Sequence, residues 1–262
     1  MARPCVLILR APGTNCDKET AFAFERAGAK AELLHINRLL ENPKLFERFQ
    51  ILCIPGGFSY GDDVAAGRIL ANQLQHHLAE ELAEFKAAGK LILGICNGFQ
   101  VLLKLSILLE PDPVEGPPAT LTWNDSGRFE DRWVRLEVTG DRCVFLRGIE
   151  SMYLPVAHAE GKFVVREPRV LGELQAEGRI VLRYRKLDGQ PADGPVPYPD
   201  NPNGSMGDTA GVCDSTGRVL GLMPHPERHI ETSQHPHWTR GLAHGQGDGM
   251  RLFLNAVRYF EA

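Results

Sequence analysis

No apolar run in this chain approaches the roughly 18 uninterrupted residues that a bilayer-spanning helix needs; the nearest, Val101–Leu109, is interrupted by Lys104. The opening Met1-Ala-Arg-Pro runs straight into an apolar, strand-like segment and carries no signal-cleavage pattern, so a cytoplasmic protein is expected. Excess charge is also missing. With 29 Lys+Arg against 33 Asp+Glu the net charge is −4, which leaves no electrostatic footprint for nucleic acid or for an anionic membrane. The six cysteines in 262 residues are too few for a disulfide scaffold, and none forms a C-x-x-C pair. Most of them read as reduced, buried thiols. What is present is a 43% hydrophobic chain, long enough to bury a large core. A soluble globular protein is the expectation, with no disorder.

The first hundred residues alternate short apolar runs with amphipathic ones. Strands are predicted at Cys5–Leu9, Ala31–Ile36, Ile51–Pro55 and Leu91–Ile95. Helices are predicted at Asp17–Gly28, near Leu39–Phe49, at Val64–Ala88 and at Gly98–Leu105, with Gly28 and Gly89 as stop signals. That alternation argues for an open, mostly parallel sheet flanked by helices, an α/β fold. After the proline-rich loop Pro111–Pro118 the texture changes to strand-like segments: Arg132–Val138, Met152–Val156, Phe163–Val165 and Ile180–Tyr184. A hairpin is predicted from Ala210–Cys213 and Val219–Met223, and a closing helix from Met250–Phe260. Asp188–Asp208 is irregular by composition. With no repeat and no linker, residues 1–262 read as one domain whose second half adds strands to the same sheet.

Three segments carry chemistry. Gly94-Ile-Cys-Asn-Gly98 joins an apolar strand to an apolar helix, which is the pattern of a nucleophile elbow with Cys96 at its apex. There the free N–H groups of the helix start favour a thiolate, and the Asn97 N–H is available to an oxyanion. A buried cysteine in an ordinary tight turn explains this segment alone equally well. The second segment, Pro224-His-Pro-Glu227, follows an apolar strand. Two residues apart in extended chain, His225 and Glu227 point the same way, so Glu227 can orient a His225 base. The third, Pro55-Gly-Gly-Phe-Ser-Tyr-Gly-Asp62, sits at the carboxyl end of the third strand, where ligands of open α/β sheets bind; Gly57 could supply a second oxyanion donor.

Together with Pro12-Gly-Thr-Asn-Cys-Asp17, His158-Ala-Glu-Gly161, Asn201-Pro-Asn-Gly-Ser205 and Met223-Pro-His-Pro-Glu-Arg228, these segments resemble the class I, triad-type glutamine amidotransferases. Within that class the resemblance is nearest to the glutaminase subunits of phosphoribosylformylglycinamidine synthases, and it covers nearly the whole chain. It implies a flavodoxin-like amidotransferase fold and a Cys96–His225–Glu227 triad that hydrolyses glutamine through a γ-glutamyl thioester. It also implies an oxyanion site at Gly57 and Asn97, with Gln100 and Phe58 as glutamine contacts. The expected partners are a large synthetase subunit, which uses ATP, magnesium and the delivered ammonia to turn formylglycinamide ribotide into the amidine, and in many bacteria a small third subunit. No cofactor or metal is expected in this chain.

Other features keep plainer readings. Five of the nine histidines lie between His225 and His244, but a solvated loop is favoured there over a metal. Cys16 has no evident base and reads as structural. Asp62 and Asp63 read equally as caps of the helix from Val64 or as partner contacts. Apparent extra length at Pro111–Pro118, Glu167–Asp193 and Gln234–Asp248 reads slightly better as surface insertion than as partner-facing loops. Trp123–Phe129 and His158–Gly161 have no derivable role. A free-standing cysteine hydrolase is disfavoured by the His225–Glu227 pairing, and a catalytically dead scaffold by the intact Cys96, His225 and Glu227.

Overall fold

The computed structural model describes residues 3–240 and 245–261. Its centre is a nine-stranded sheet in the order β2-β1-β3-β4-β11-β10-β9-β6-β7. The strands are β1 (Cys5–Arg10), β2 (Lys30–His35), β3 (Ile51–Ile54), β4 (Leu91–Ile95), β6 (Glu130–Val138), β7 (Ser151–His158), β9 (Ile180–Arg185), β10 (Thr209–Cys213) and β11 (Val219–Leu222). The first four and β11 are parallel to one another, and β10, β9, β6 and β7 extend the sheet in antiparallel fashion. β5 (Ala119–Thr122) and β8 (Lys162–Val165) pair separately. Strands β3 and β4 are buried throughout because helices cover both faces, so their sequences read as unbroken apolar runs rather than alternations. The packed core extends from β1 to the antiparallel half. Among the described residues no helix is long and apolar enough to cross a membrane.

The helices are α1 (Asp17–Arg26), α2 (Ile36–Glu41), α3 (Arg68–His77), α4 (Ala79–Ala87), α5 (Asn97–Lys104), α6 (Pro168–Ala176) and α7 (Met250–Arg258). Three expectations need correction. The helix over Val64–Ala88 is two helices with a break at Leu78 (φ −137°), and Val64–Gly67 is not helical at all, since Val64 and Gly67 are both left-handed. Asn42–Pro43 likewise splits the stretch near Leu39–Phe49 into α2 and a turn of 3-10 helix, because proline removes an N–H donor. The apparent insertion Glu167–Asp193 contains α6 and the whole of β9; Pro168 opens α6, and Val170 and Leu174 are buried one turn apart.

The parallel strands deliver three loops to one edge of the sheet, at the point where chain order reverses between β1 and β3. The loops after β1 and β3 pack backbone to backbone: Phe58 N–H donates to the Gly13 carbonyl at 3.0 Å, and Cys16 N–H to the Gly56 carbonyl at 3.3 Å. A β-carbon on Gly57 (φ 134°) would stand 2.7 Å from the Asn15 nitrogen. Where β4 turns into α5 the fit is tighter still, since a β-carbon on Gly98 would lie 1.8 Å from the Ile54 carbonyl oxygen. Gly98→Ala must therefore push α5 off β3. Overpacking of this severity should cost about 3 kcal/mol, a fall of roughly 6–12 °C in melting temperature for a chain of this size by calorimetry. An unchanged melting temperature would show that the packing is looser than described.

Candidate active site

Cys96 sits at the apex of the turn between β4 and α5 with φ 52° and ψ −103°, a left-handed conformation that a side-chain-bearing residue adopts only under strain. The turn is held on both sides. Cys96 N–H donates to the Leu222 carbonyl at 2.8 Å, and the N–H groups of Phe99 and Gln100 donate to the Cys96 carbonyl. The first-turn N–H groups of α5, beginning with Asn97, have no acceptor inside the helix and leave positive dipole ends beside the sulfur.

His225 follows β11. Its Nδ1 lies 2.6 Å from Glu227 Oε1, and its own N–H donates to the Pro155 carbonyl at 2.8 Å. The pair is not formed in extended chain, as the sequence suggested: Pro226–Arg228 is a turn of 3-10 helix that folds Glu227 back beneath the ring. Both side chains are buried, at 1% exposure each. Burial alone would lower the His225 pKa, but the carboxylate of Glu227, with the sulfurs of Cys96 and Cys16, raises it well above the usual histidine value. His225 Nε2 and Glu227 Oε2 are buried without a hydrogen-bond partner. The Cys96 thiol meanwhile rests against the Ala157 carbonyl at 3.6 Å and is only 5% exposed. The nucleophile is closed over by segment 157–161.

That segment is fixed from behind by the motifs to which sequence reasoning gave no role. Asn124 Nδ2 donates to the carbonyls of His158 and Arg128, so its Oδ1 is the acceptor for Gly161 N–H and for His158 Nδ1, which must carry the proton. Burial, aided by the charge of His225, pushes the His158 pKa down to about 3, so the ring is neutral. Asn203 Nδ2 reaches the Tyr184 hydroxyl at 3.1 Å and His158 Nε2 at 3.4 Å, and Ser205 Oγ accepts from Phe163 N–H. Asn201 in turn holds Gly204 and Ser205. Tyr184 gave no signal of its own in the sequence.

The remaining candidates are placed as follows. Gly57 bridges to Thr14 at the rim. Asn97 is buried, and its side-chain nitrogen donates to Gln100 Oε1 at 2.9 Å and to Asp62 Oδ1 at 3.0 Å. Gln100 is also buried, with Nε2 on the Glu160 carbonyl at 2.7 Å, so its amide is engaged by protein groups. Phe58 is 43% exposed at the rim, its ring 6.3 Å from that of Phe129. Asp62 caps no helix at Val64; it ties a loop in which Tyr60, Asp62 and Val64 all have positive φ to the residue beside the nucleophile. Cys16, read as structural, lies within 4.8 Å of donor atoms of His225 and Glu227 and accepts from Arg228 Nη2 at 3.2 Å. In the histidine-rich segment, the rings of His229 and His235 join Trp133 and Tyr153 in an aromatic cluster; His244 lies outside the described residues.

Burial, reinforced by Glu160, pushes the Asp62 pKa up to about 6 against the hydrogen bonds from Gly67 and Asn97. A carboxyl raised in this way stabilises the fold when protonated. That contribution is full below about pH 4 and is lost as pH rises through about 6. Asp62→Asn should therefore stabilise the protein at pH 8 by about 1–2 kcal/mol, after discounting for partial exposure. The gap to wild type should shrink on acidification to pH 5, as read in paired thermal melts. A gap independent of pH would refute the assignment.

Residues 3–260 match the family described as CobB/CobQ-like glutamine amidotransferase domain. The chain is 49% identical to a phosphoribosylformylglycinamidine synthase subunit PurQ of Dehalococcoides mccartyi, over 99% of this chain and 98% of that protein. It is 42% identical to the subunit of the same name from Methanococcus maripaludis, over 98% and 97%. In three dimensions it matches a chain of the structure of PurLQS from Thermotoga maritima with a TM-score of 0.75 at 31% identity, covering 99% of this chain and 100% of that one.

Proposed function

This chain belongs to the PurQ family of glutamine amidotransferase subunits, and from that membership we propose how its residues divide the work of hydrolysing glutamine for phosphoribosylformylglycinamidine synthase. The function is to release ammonia from glutamine and deliver it to the large synthetase subunit, which converts formylglycinamide ribotide to formylglycinamidine ribotide in purine biosynthesis. Residues 1–262 act as one glutaminase domain in the cytoplasm. ATP and magnesium belong to the synthetase partner, and a small third subunit joins the complex, as in PurLQS.

The observation that carries the residue roles is the buried His225–Glu227 pair at 2.6 Å, set beside a strained cysteine elbow. Cys96 gives its thiol proton to His225 Nε2, and the thiolate attacks the side-chain carbonyl carbon of glutamine. Glu227 Oε1 accepts from Nδ1–H and so fixes the ring with Nε2 toward the sulfur. The N–H groups of Gly57 and Asn97 hold the oxyanion of the tetrahedral intermediate. His225 then protonates the departing nitrogen, and ammonia leaves with a γ-glutamyl thioester on Cys96. Water, deprotonated by His225, attacks that thioester; glutamate departs and Cys96 recovers its proton. Gln100, through the Glu160 carbonyl, holds the segment that covers the sulfur, and Phe58 lines the rim.

With Cys96, His225 and Glu227 all nearly sealed from solvent, glutamine enters only when a covering segment moves. Ammonia release by the purified chain should therefore be low alone and should rise when the host's synthetase is added. Cys96→Ala should abolish it. Glu227→Gln should lower kcat by about 10²–10⁴-fold with little effect on KM, since the ring loses its orienting charge. Turnover that survives Cys96→Ala would overturn the nucleophile, and full activity in the lone chain would overturn the coupling.

A further inference from the structure

Cys16 is unused by the reaction just described, yet it stands against its base. Cys16 Sγ, a ring nitrogen of His225 and a carboxylate oxygen of Glu227 all lie within 4.8 Å of one another, and all three residues are buried. The sulfur and the ring share a space left open by a glycine: a β-carbon on Gly56 would come 2.7 Å from His225 Cε1 and 3.1 Å from Cys16 Sγ. Two atoms of this group, His225 Nε2 and Glu227 Oε2, are buried with no hydrogen-bond partner. The reaction accounts for the first through Cys96, but it leaves the second, a sealed carboxylate oxygen, without a function. That oxygen is a donor atom beside the sulfur and the ring that no protein group engages.

The geometry points to a regulatory site for a soft divalent cation, zinc in the first instance, held by Cys16, His225 and Glu227. One sulfur, one imidazole nitrogen and one carboxylate oxygen, with a fourth position open, is a donor set that zinc accepts. Bond lengths near 2.0–2.3 Å require these atoms to draw in from their present spacing by only about 1 Å. On binding, zinc displaces to solvent the Cys16 thiol proton and any proton on the His225 nitrogen it takes, as the S–Zn and N–Zn bonds form. Burial keeps that thiol protonated in the absence of a metal, so the ion itself drives the deprotonation. The Arg228 guanidinium 3.2 Å from the sulfur opposes a cation, and Glu19, 2.9 Å from Arg228 Nε, offsets part of its charge. Neutral imidazole has one lone pair. Once zinc holds it, His225 cannot accept a proton from Cys96, and glutamine hydrolysis stops.

Only this inhibitory consequence rests on the proposed role of His225; metal binding does not. The test accordingly uses the full-length Cys96→Ala variant, which has no activity to follow and no competing nucleophile. Equilibrium dialysis against zinc chloride should give one bound ion per chain, and cobalt(II) should produce a thiolate-to-metal charge-transfer band. Adding Cys16→Ala should weaken zinc binding by more than about tenfold and remove the band. Cys16→Ser, which keeps the side chain's size, should do the same, and matched thermal melts show that the fold is intact. Absence of zinc uptake by Cys96→Ala at micromolar zinc would overturn the site. So would a charge-transfer band that persists without Cys16, or binding that needs Cys96 and ignores Cys16. A failure of glutamine hydrolysis in the wild type would count against the reaction and leave the binding result untouched.

Discussion

The contact between Gly98 and the Ile54 carbonyl is the constraint on which the active site hangs. Helix α5 can approach β3 this closely only because no β-carbon intervenes, and that approach forces the chain at Cys96 into its left-handed turn. The turn then does two things with one geometry. It brings the sulfur to the Ala157 carbonyl, and it places the open N–H groups of the α5 start next to it. Gly94 belongs to the same arrangement, since a β-carbon there would meet the Gly98 carbonyl at 2.6 Å. The backbone strain at Cys96 is sustained by the fully buried strands on either side, β3 and β11, which cannot shift to relieve it.

Around this elbow the polar groups are arranged in two layers. The inner layer is Cys96, His225 and Glu227, in which His225 Nε2 and Glu227 Oε2 have no hydrogen-bond partner. The outer layer is nearly saturated. Asn124, His158, Asn203, Tyr184 and Ser205 satisfy one another and the backbone of 157–161, so the cover over the sulfur is fixed by hydrogen bonds rather than by apolar packing. A saturated network of this kind is rigid where it is complete and costly where one member is lost. The neutral state of His158 fits this division, because a charged ring there would stand against the imidazolium of His225.

The strained loop from Tyr60 to Val64 is joined to the elbow by the Asp62–Asn97 hydrogen bond. Three positive φ values in side-chain-bearing residues, with Val64 82% exposed, are not paid back by local burial. The loop is held instead by hydrogen bonds: Tyr60 N–H to the Pro12 carbonyl, the Tyr60 hydroxyl to Gln73, and Asn97 to Asp62, whose carboxyl is pushed up by burial and by Glu160.

The sequence by itself determined whatever depends on neighbours in the chain. The apolar runs of β1, β3 and β4 and the glycine-flanked Cys96 were legible because period and turn chemistry are local. His225 with Glu227 was legible too, although the 3-10 turn that joins them was not. Tertiary structure alone decided the rest. Residues 64–67 keep helical spacing in sequence, yet Val64 and Gly67 are left-handed, and Gly67 lies so close to α5 that a β-carbon there would meet Val101. Cys16 comes under the base because Arg228, 212 residues further along the chain, and the Gly56 carbonyl hold it there. Segments 158–161 and 201–205 acquire a role only when they meet Asn124 and Tyr184 across the sheet. Such contacts have no period to read, since they are set by which loops the parallel strands bring to one edge.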